Sequence, residues 1–218
     1  MLHECFAQQG HHRDRSRRAG YGMGDNAAAA CQLGWRRAGE TIDMSYRIRR
    51  FRPADRDAML AFAESLPEHD LLFLGRDLRH PRVIDAWQVA IEEGWIDSLV
   101  AEDDGEFVGT AALVRDPLGW SAHVGEIRLL VAPTKRGAGL GRDLLEAILA
   151  VAPERGVEKL TAQMTPDQIG SVMLFESLGF RAEALLKNHV RDRDGKPHDL
   201  AILAQDVVSL VGTRASDL

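Results

Sequence analysis

Cysteine is nearly absent: 218 residues hold two, Cys5 and Cys31. That excludes a disulfide-built scaffold, and no Cys-x-x-Cys pair offers the usual metal spacing. No run of eighteen apolar residues occurs, so a helical membrane span is not expected. The N-terminus lacks the continuous apolar stretch of a secretory signal. An excess of basic charge is missing too. Twenty-seven Lys and Arg face 33 Asp and Glu, a formal net charge of −6, which argues against a general nucleic-acid binder. What remains is an ordinary globular balance, 45% hydrophobic and 28% charged, at a length suited to one domain. A cytoplasmic protein with no nucleic-acid or membrane partner is the expectation.

Residues 1–43 differ from the rest. They carry both cysteines, the run Ala27 to Ala30 and the basic stretch Arg13 to Arg18, but few large aliphatic side chains. So little apolar surface cannot offset the entropy of ordering a segment. We expect a disordered extension over 1–43, a folded domain over 44–210 with Met44 as a candidate start, and a flexible tail over 211–218.

From Ser45 the patterns are regular. Tyr46 to Phe51 alternates as a strand. Pro53-Ala54-Asp55 opens a helix to about Leu66, and Pro81 opens another to about Glu93, ended by Gly94. Two apolar runs flank Asp103-Asp104-Gly105, a hairpin signal. A third strand is predicted from about His123 to Val131, a helix from Gly139 to Val151, a strand from Lys159 to Met164, and a helix from Gln168 to Leu178. Two last strands flank Asp192 to Lys196. The order is β-α-α-β-β-β-α-β-α-β-β, without an internal repeat. Trp87, Trp95 and Trp120 read as core.

The chemistry concentrates in Arg136-Gly137-Ala138-Gly139-Leu140-Gly141-Arg142, which follows a strand ending in Val131-Ala132-Pro133. Glycines allow close backbone approach to a ligand, and the first helical amides with their dipole favour an anion. Arg136 and Arg142 add positive charge. A pyrophosphate cradle is the physical reading. Gly141-Arg142-Asp143 is not the Gly-Lys-Ser/Thr of a Walker loop, and Arg142 stands where a dinucleotide fingerprint needs its third glycine.

This loop resembles the Arg/Gln-x-x-Gly-x-Gly/Ala loop of the GNAT N-acetyltransferases. Phe175-Glu176-Ser177-Leu178-Gly179-Phe180 is similar to that family's late helix ending, and the element order fits. The resemblance implies an α/β fold: a mixed, mostly antiparallel sheet of six to seven strands, helices on both faces and splayed central strands. It implies acetyl-CoA or another acyl-CoA as donor. Amides of Gly137, Ala138, Gly139, Leu140 and Gly141 would hold the pyrophosphate. Backbone groups of Leu129, Leu130 and Val131 would pair with the pantetheine. Gln168, Ser171 and Phe175 would be further cofactor contacts. Phe175 stands where the family commonly has a tyrosine that protonates the leaving thiolate, and phenylalanine has no proton to give.

The implied reaction is direct transfer to an amine in a ternary complex, since no cysteine after Met44 is available for a covalent route. A base must deprotonate the amine. Glu126, on the strand leading to the loop, is the first candidate, and His123 on the same strand is the second. Arg128 shares a face with Glu126 by the two-residue period, which suits a pairing role. The acceptor would be a small-molecule or peptide amine, and a homodimer is an open expectation. The last hairpin carries His189, His198 and Asp199 and is read as lining the acceptor pocket, with no metal site. Residues 68–75 read either as acids that meet a cation or as an apolar docking turn. The rival to an enzyme is an acyl-CoA-binding sensor of the same fold.

Overall fold

The computed structural model describes residues 46–207. The expectations for residues 1–43 and 211–218 lie outside them.

Seven strands form one sheet in the order β1-β2-β3-β4-β5-β7-β6. They are β1 (Tyr46–Arg50), β2 (Ile96–Asp103), β3 (Glu106–Arg115), β4 (Val124–Val131), β5 (Lys159–Met164), β6 (Arg181–Arg191) and β7 (Pro197–Asp206). Every pairing is antiparallel except β4 with β5. Asp104 and Gly105 both take positive φ, 48° and 85°, as the two-residue β2–β3 hairpin turn requires. Helices α1 (Arg56–Ser65), α2 (Pro81–Glu92), α3 (Leu140–Leu149) and α4 (Ile169–Ser177) complete the predicted order. The sequence reading missed a 3-10 segment, Glu68–Leu74, after α1.

Two apolar layers cover the sheet. On one face α3 buries Leu140, Leu144, Leu145, Ile148 and Leu149 against Ala111, Leu113, Ile127 and Leu160. On the other, Met59 and Phe62 of α1, Ile84 and Trp87 of α2, and Leu71, Phe73 and Leu74 of the 3-10 segment cover Val100, Ala112, Leu130 and Leu200. Leu71 to Leu74 thus dock as an apolar turn, while the acids of that segment do different work described below. Trp120 corrects the core reading: it is fully exposed, in the connection between β3 and β4, where among the described residues nothing packs over it. Among the described residues, no helix is long and apolar enough to cross a membrane.

Helix α3 lies close on β3 because Gly109 has no side chain. A Cβ there would stand 2.7 Å from Leu144 Cδ1 and 3.2 Å from the Leu130 carbonyl. Gly109→Ala should cost about 1–3 kcal/mol by overpacking and Leu144→Ala about 3 kcal/mol by cavity formation. Denaturant unfolding of the double variant should fall short of the sum by at least about 1 kcal/mol.

Candidate active site

The site begins where β4 and β5 part. Their ladder runs from Val124↔Lys159 to Ile127↔Ala162 and stops there, so Arg128 has no partner opposite Gln163. Beyond that point β4 remains bound only to β3, through Gly109↔Val131, Thr110↔Leu130 and Ala111↔Leu129. The Ala132 amide donates to the Val108 carbonyl. Alternation along an antiparallel strand then turns the backbone groups of Leu130 toward β3 and those of Leu129 and Val131 toward the gap. This corrects the reading of residues 129–131 as a block: the Leu130 backbone belongs to the sheet, and its side chain is buried on the α1–α2 face. The Val131 carbonyl is also taken, by Arg136 Nε and Nη2, both at 3.1 Å. The Leu129 amide and carbonyl and the Val131 amide are left along the edge.

At the open end of this wedge lies the glycine loop. Gly137 and Gly139 have φ of 76° and 94°, conformations that strain other residues. A Cβ on either would meet nothing within 4 Å, so these glycines serve backbone shape rather than packing. Gly141 differs: its Cβ would reach 3.3 Å from Leu174 Cδ2 and 3.6 Å from Val131 Cγ2, so it seats the helix start against β4 and α4. The Gly139 carbonyl accepts from the Arg142 and Asp143 amides. Among the described residues, no acceptor is recorded for the amides of 137–141, and 136–139 are exposed. Five backbone donors without an acceptor thus stand in sequence at a helix N-terminus, the donor set that anion binding uses.

The arginines do less than expected. Arg136 Nη2 bonds Asp70 at 2.5 Å. Arg142 bonds Glu146 at 3.2 Å and the Ser177 hydroxyl at 2.8 Å. Both guanidiniums thus already face carboxylates, which offsets the charge assigned to them and leaves the cradle mainly to amides and helix dipole.

Glu126 and Arg128 point to the α1–α2 face, and Arg128 Nε donates to Glu126 Oε1 at 2.7 Å. Both side chains are about a fifth exposed, 22% and 21%. His123 does not share this place. It is exposed, just before β4, where its carbonyl accepts from the Glu158 and Lys159 amides. That is the paired end of the wedge, eight residues from Val131. Phe175 is likewise corrected as a cofactor contact: it is 3% exposed and packs edge to face on Phe180 at 5.0 Å. Gln168 caps locally, its Oε1 accepting from the Thr165 amide at 3.2 Å. Ser171 lies half-buried in the first turn of α4.

Sequence reasoning missed what ties the site together. The 3-10 segment reaches three loops: Glu68 accepts from the Arg193 amide at 2.8 Å, His69 Nε2 lies 3.1 Å from both Asp167 and the Thr165 hydroxyl, and Asp70 holds Arg136. The sequence separations, 66 to 125 residues, leave no local signal. Hydrogen bonds from Thr165, opposed by burial and reinforced by His69, hold the Asp167 carboxyl below the usual range. In the last hairpin, His198 Nε2 bonds Asp192 at 2.8 Å and Asp199 bonds Lys187 at 2.7 Å.

A family model described as acetyltransferase (GNAT) family matches residues 62–180. The chain belongs to the GNAT acetyltransferase family. Bacillus subtilis YwnH, whose name carries phosphinothricin acetyltransferase as a provisional description, is 33% identical over 110 residues, 50% of this chain and 67% of that protein. The ribosomal protein bS18-alanine N-acetyltransferase of Escherichia coli K12 is 33% identical over 76 residues, 35% of this chain. The matched region spans about half of that relative, 51%. The Salmonella typhimurium protein yncA, solved with its cofactor acetyl-CoA, superposes with a TM-score of 0.63 at 23% identity, over 75% of this chain and 94% of that one. It shares the GNAT fold, and the expected sheet with splayed central strands is the observed one.

The hairpin tip is fixed partly by Asp77, which bonds Arg79 Nε at 2.9 Å and Arg193 Nη2 at 2.7 Å. The Arg79 hydrogen bond, resisted by burial and helped by Arg193, holds its carboxyl far below the usual range. A depressed acid stabilises the fold above its unfolded value, about pH 4, and that contribution fades as pH falls toward the folded value. The stability gap between wild type and Asp77→Asn should therefore be constant from about pH 5 to 8 and narrow below about pH 4 in urea titrations.

Proposed function

We propose that this GNAT acetyltransferase takes its acyl group from acetyl-CoA and passes it to a primary amine by direct attack in a ternary complex. The observation that carries the reading is the set of unpaired amides at 137–141 beside an unpaired strand edge. Together they fit a diphosphate followed by an amide-bearing arm. Gly137, Ala138, Gly139, Leu140 and Gly141 would hold the diphosphate, and the free Leu129 carbonyl and Val131 amide would pair with the pantetheine amides. Bound there, acetyl-CoA supplies an activated thioester.

The chain's own groups do the rest. Glu126, half-buried on the opposite face and partly neutralised by Arg128, receives the acceptor ammonium and takes its proton. The Leu129 amide, facing the gap, donates to the oxyanion that develops at the carbonyl. Ser171 and the amide nitrogen of Gln168 lie on the α4 side as further contacts. One relative is named for phosphinothricin and the other for an alanine of ribosomal protein bS18, so a small-molecule amine and a protein-borne amine both belong in the first acceptor panel.

A second reading is favoured by Phe175, which offers no proton: the same fold binding an acyl-CoA as a sensor without turnover. Thiol release with acetyl-CoA and a panel of amines separates them. Turnover of any amine rejects the sensor, and binding without turnover across the panel supports it.

Ala138→Glu places a carboxylate among the loop amides without straining a positive φ. Acetyl-CoA affinity, measured by calorimetry, should fall at least about tenfold; unchanged affinity in a folded variant rejects the loop assignment. Glu126→Gln should lower kcat about 100-fold while leaving acetyl-CoA affinity near wild type.

A further inference from the structure

Acyl transfer ends with a thiolate that needs a proton, and the α4 position where a tyrosine could supply it holds a buried phenylalanine, Phe175. The wedge has another group at its mouth. Thr165 directly follows Met164, the last residue of β5, two to three residues past the point where β4 and β5 separate. Its hydroxyl lies 3.1 Å from His69 Nε2, which also lies 3.1 Å from Asp167 Oδ1. The next residue, Asp70, holds Arg136, and Arg136 holds the Val131 carbonyl at the end of β4. Consecutive residues of the 3-10 segment are thus linked to both diverging strands, and a group lying between the strand ends lies beside His69.

We propose that His69, held by Asp167, is the general acid that protonates the leaving thiolate. The inference rests on the acetyl-CoA reading above. The C–N bond forms and the C–S bond breaks. The imidazolium of His69 gives its proton to the sulfur. The ammonium gives up two protons: one leaves through Glu126 to solvent, and the other goes to water as the new amide forms, while His69 regains a proton from water. Asp167 stabilises the imidazolium.

The surroundings suit this role. His69 is about a third exposed, 36%. A cavity of about 340 Å³ lined by Thr165, Pro166, Asp167, Pro197, His198 and Asp199 opens on both of its partners and gives water a path to them. The charged groups around His69 are accounted for. Asp167 faces it from the β5–α4 loop, and His198 of β7 stands edge-on at 5.5 Å and is itself paired with Asp192. On its own segment, Glu68 is turned to Arg79 and Arg193 and Asp70 to Arg136. Among the described residues, Asp167 is therefore the carboxylate in contact with the ring.

The test uses the full chain, acetyl-CoA and the best amine of the panel. His69→Gln, which can keep hydrogen bonds to Thr165 and Asp167, should lower kcat at least about 100-fold with acetyl-CoA affinity within about threefold of wild type. It should also abolish the alkaline limb of the kcat–pH profile, which loss of a structural contact would not do. Without turnover, the His69 imidazole proton resonance, assigned by its disappearance in the variant, should shift when acetyl-CoA is added. Asp167→Asn, a change at a 69% exposed side chain that leaves the core intact, should lower kcat about tenfold. A His69→Gln enzyme with wild-type kcat and profile overturns the proposal, as does an unmoved resonance or, should His69→Gln not fold, an Asp167→Asn enzyme of wild-type rate. A wild type that binds acetyl-CoA but acylates no amine overturns the N-acyltransferase reading and this one together; turnover in wild type with unchanged variants overturns only the role of His69.

Discussion

The parting of β4 from β5 after four paired residues is the constraint around which the rest is arranged. A central strand normally satisfies its backbone on both edges, and an unpaired buried edge is costly. Here the cost falls on one end of β4. It is contained by Arg136, which satisfies the Val131 carbonyl, and by β3, which keeps the strand in register to its last residue. What stays open is a short row of donors and one acceptor beside the five loop amides. In the proposed reading the ligand completes this edge, by the same rules that make an unpaired edge a liability.

The charges around this opening are balanced rather than one-sided. Each arginine near the loop already meets a carboxylate, and Lys135 is tied to Asp103. Pairing of exposed ions contributes little to stability. Its effect is positional: it fixes where the loop, the β5–α4 turn and the last hairpin stand relative to the 3-10 segment. An anion arriving at the loop meets oriented amides and a helix dipole, not a surplus of cations. That arrangement is compatible with the acidic balance of the chain as a whole.

The 3-10 segment is the element whose importance was least visible. Its apolar residues explain why it docks, and its polar residues explain what it holds. Leu71, Phe73 and Leu74 anchor it over the sheet, while Glu68, His69 and Asp70 reach outward to three separate loops. In sequence this segment reads either as acids that meet a cation or as an apolar docking turn. Only the fold brings their partners, 66 to 125 residues away, within hydrogen-bond distance.

The sequence determined the elements and the cradle, because their signals are local. Two-residue alternation, the proline-led 3-10 turn Pro53–Asp55 that precedes α1, the proline start of α2, the Asp104-Gly105 turn and the glycine spacing before α3 each act within a few residues. Pairing of Glu126 with Arg128 was legible for the same reason, since both lie on one strand face. The tertiary structure decided the rest. It set which backbone edges of 129–131 stay free, because that depends on where β5 turns away. It turned Arg136 and Arg142 to carboxylates, buried Phe175 against Phe180, left His123 at the closed end and placed His69 at the open one. The strand edges, the Arg136–Asp70 pair and the place of His69 depend on contacts between segments far apart in the chain, while Arg142 with Glu146 and Phe175 with Phe180 are near-neighbour contacts that only the helix geometry brings about.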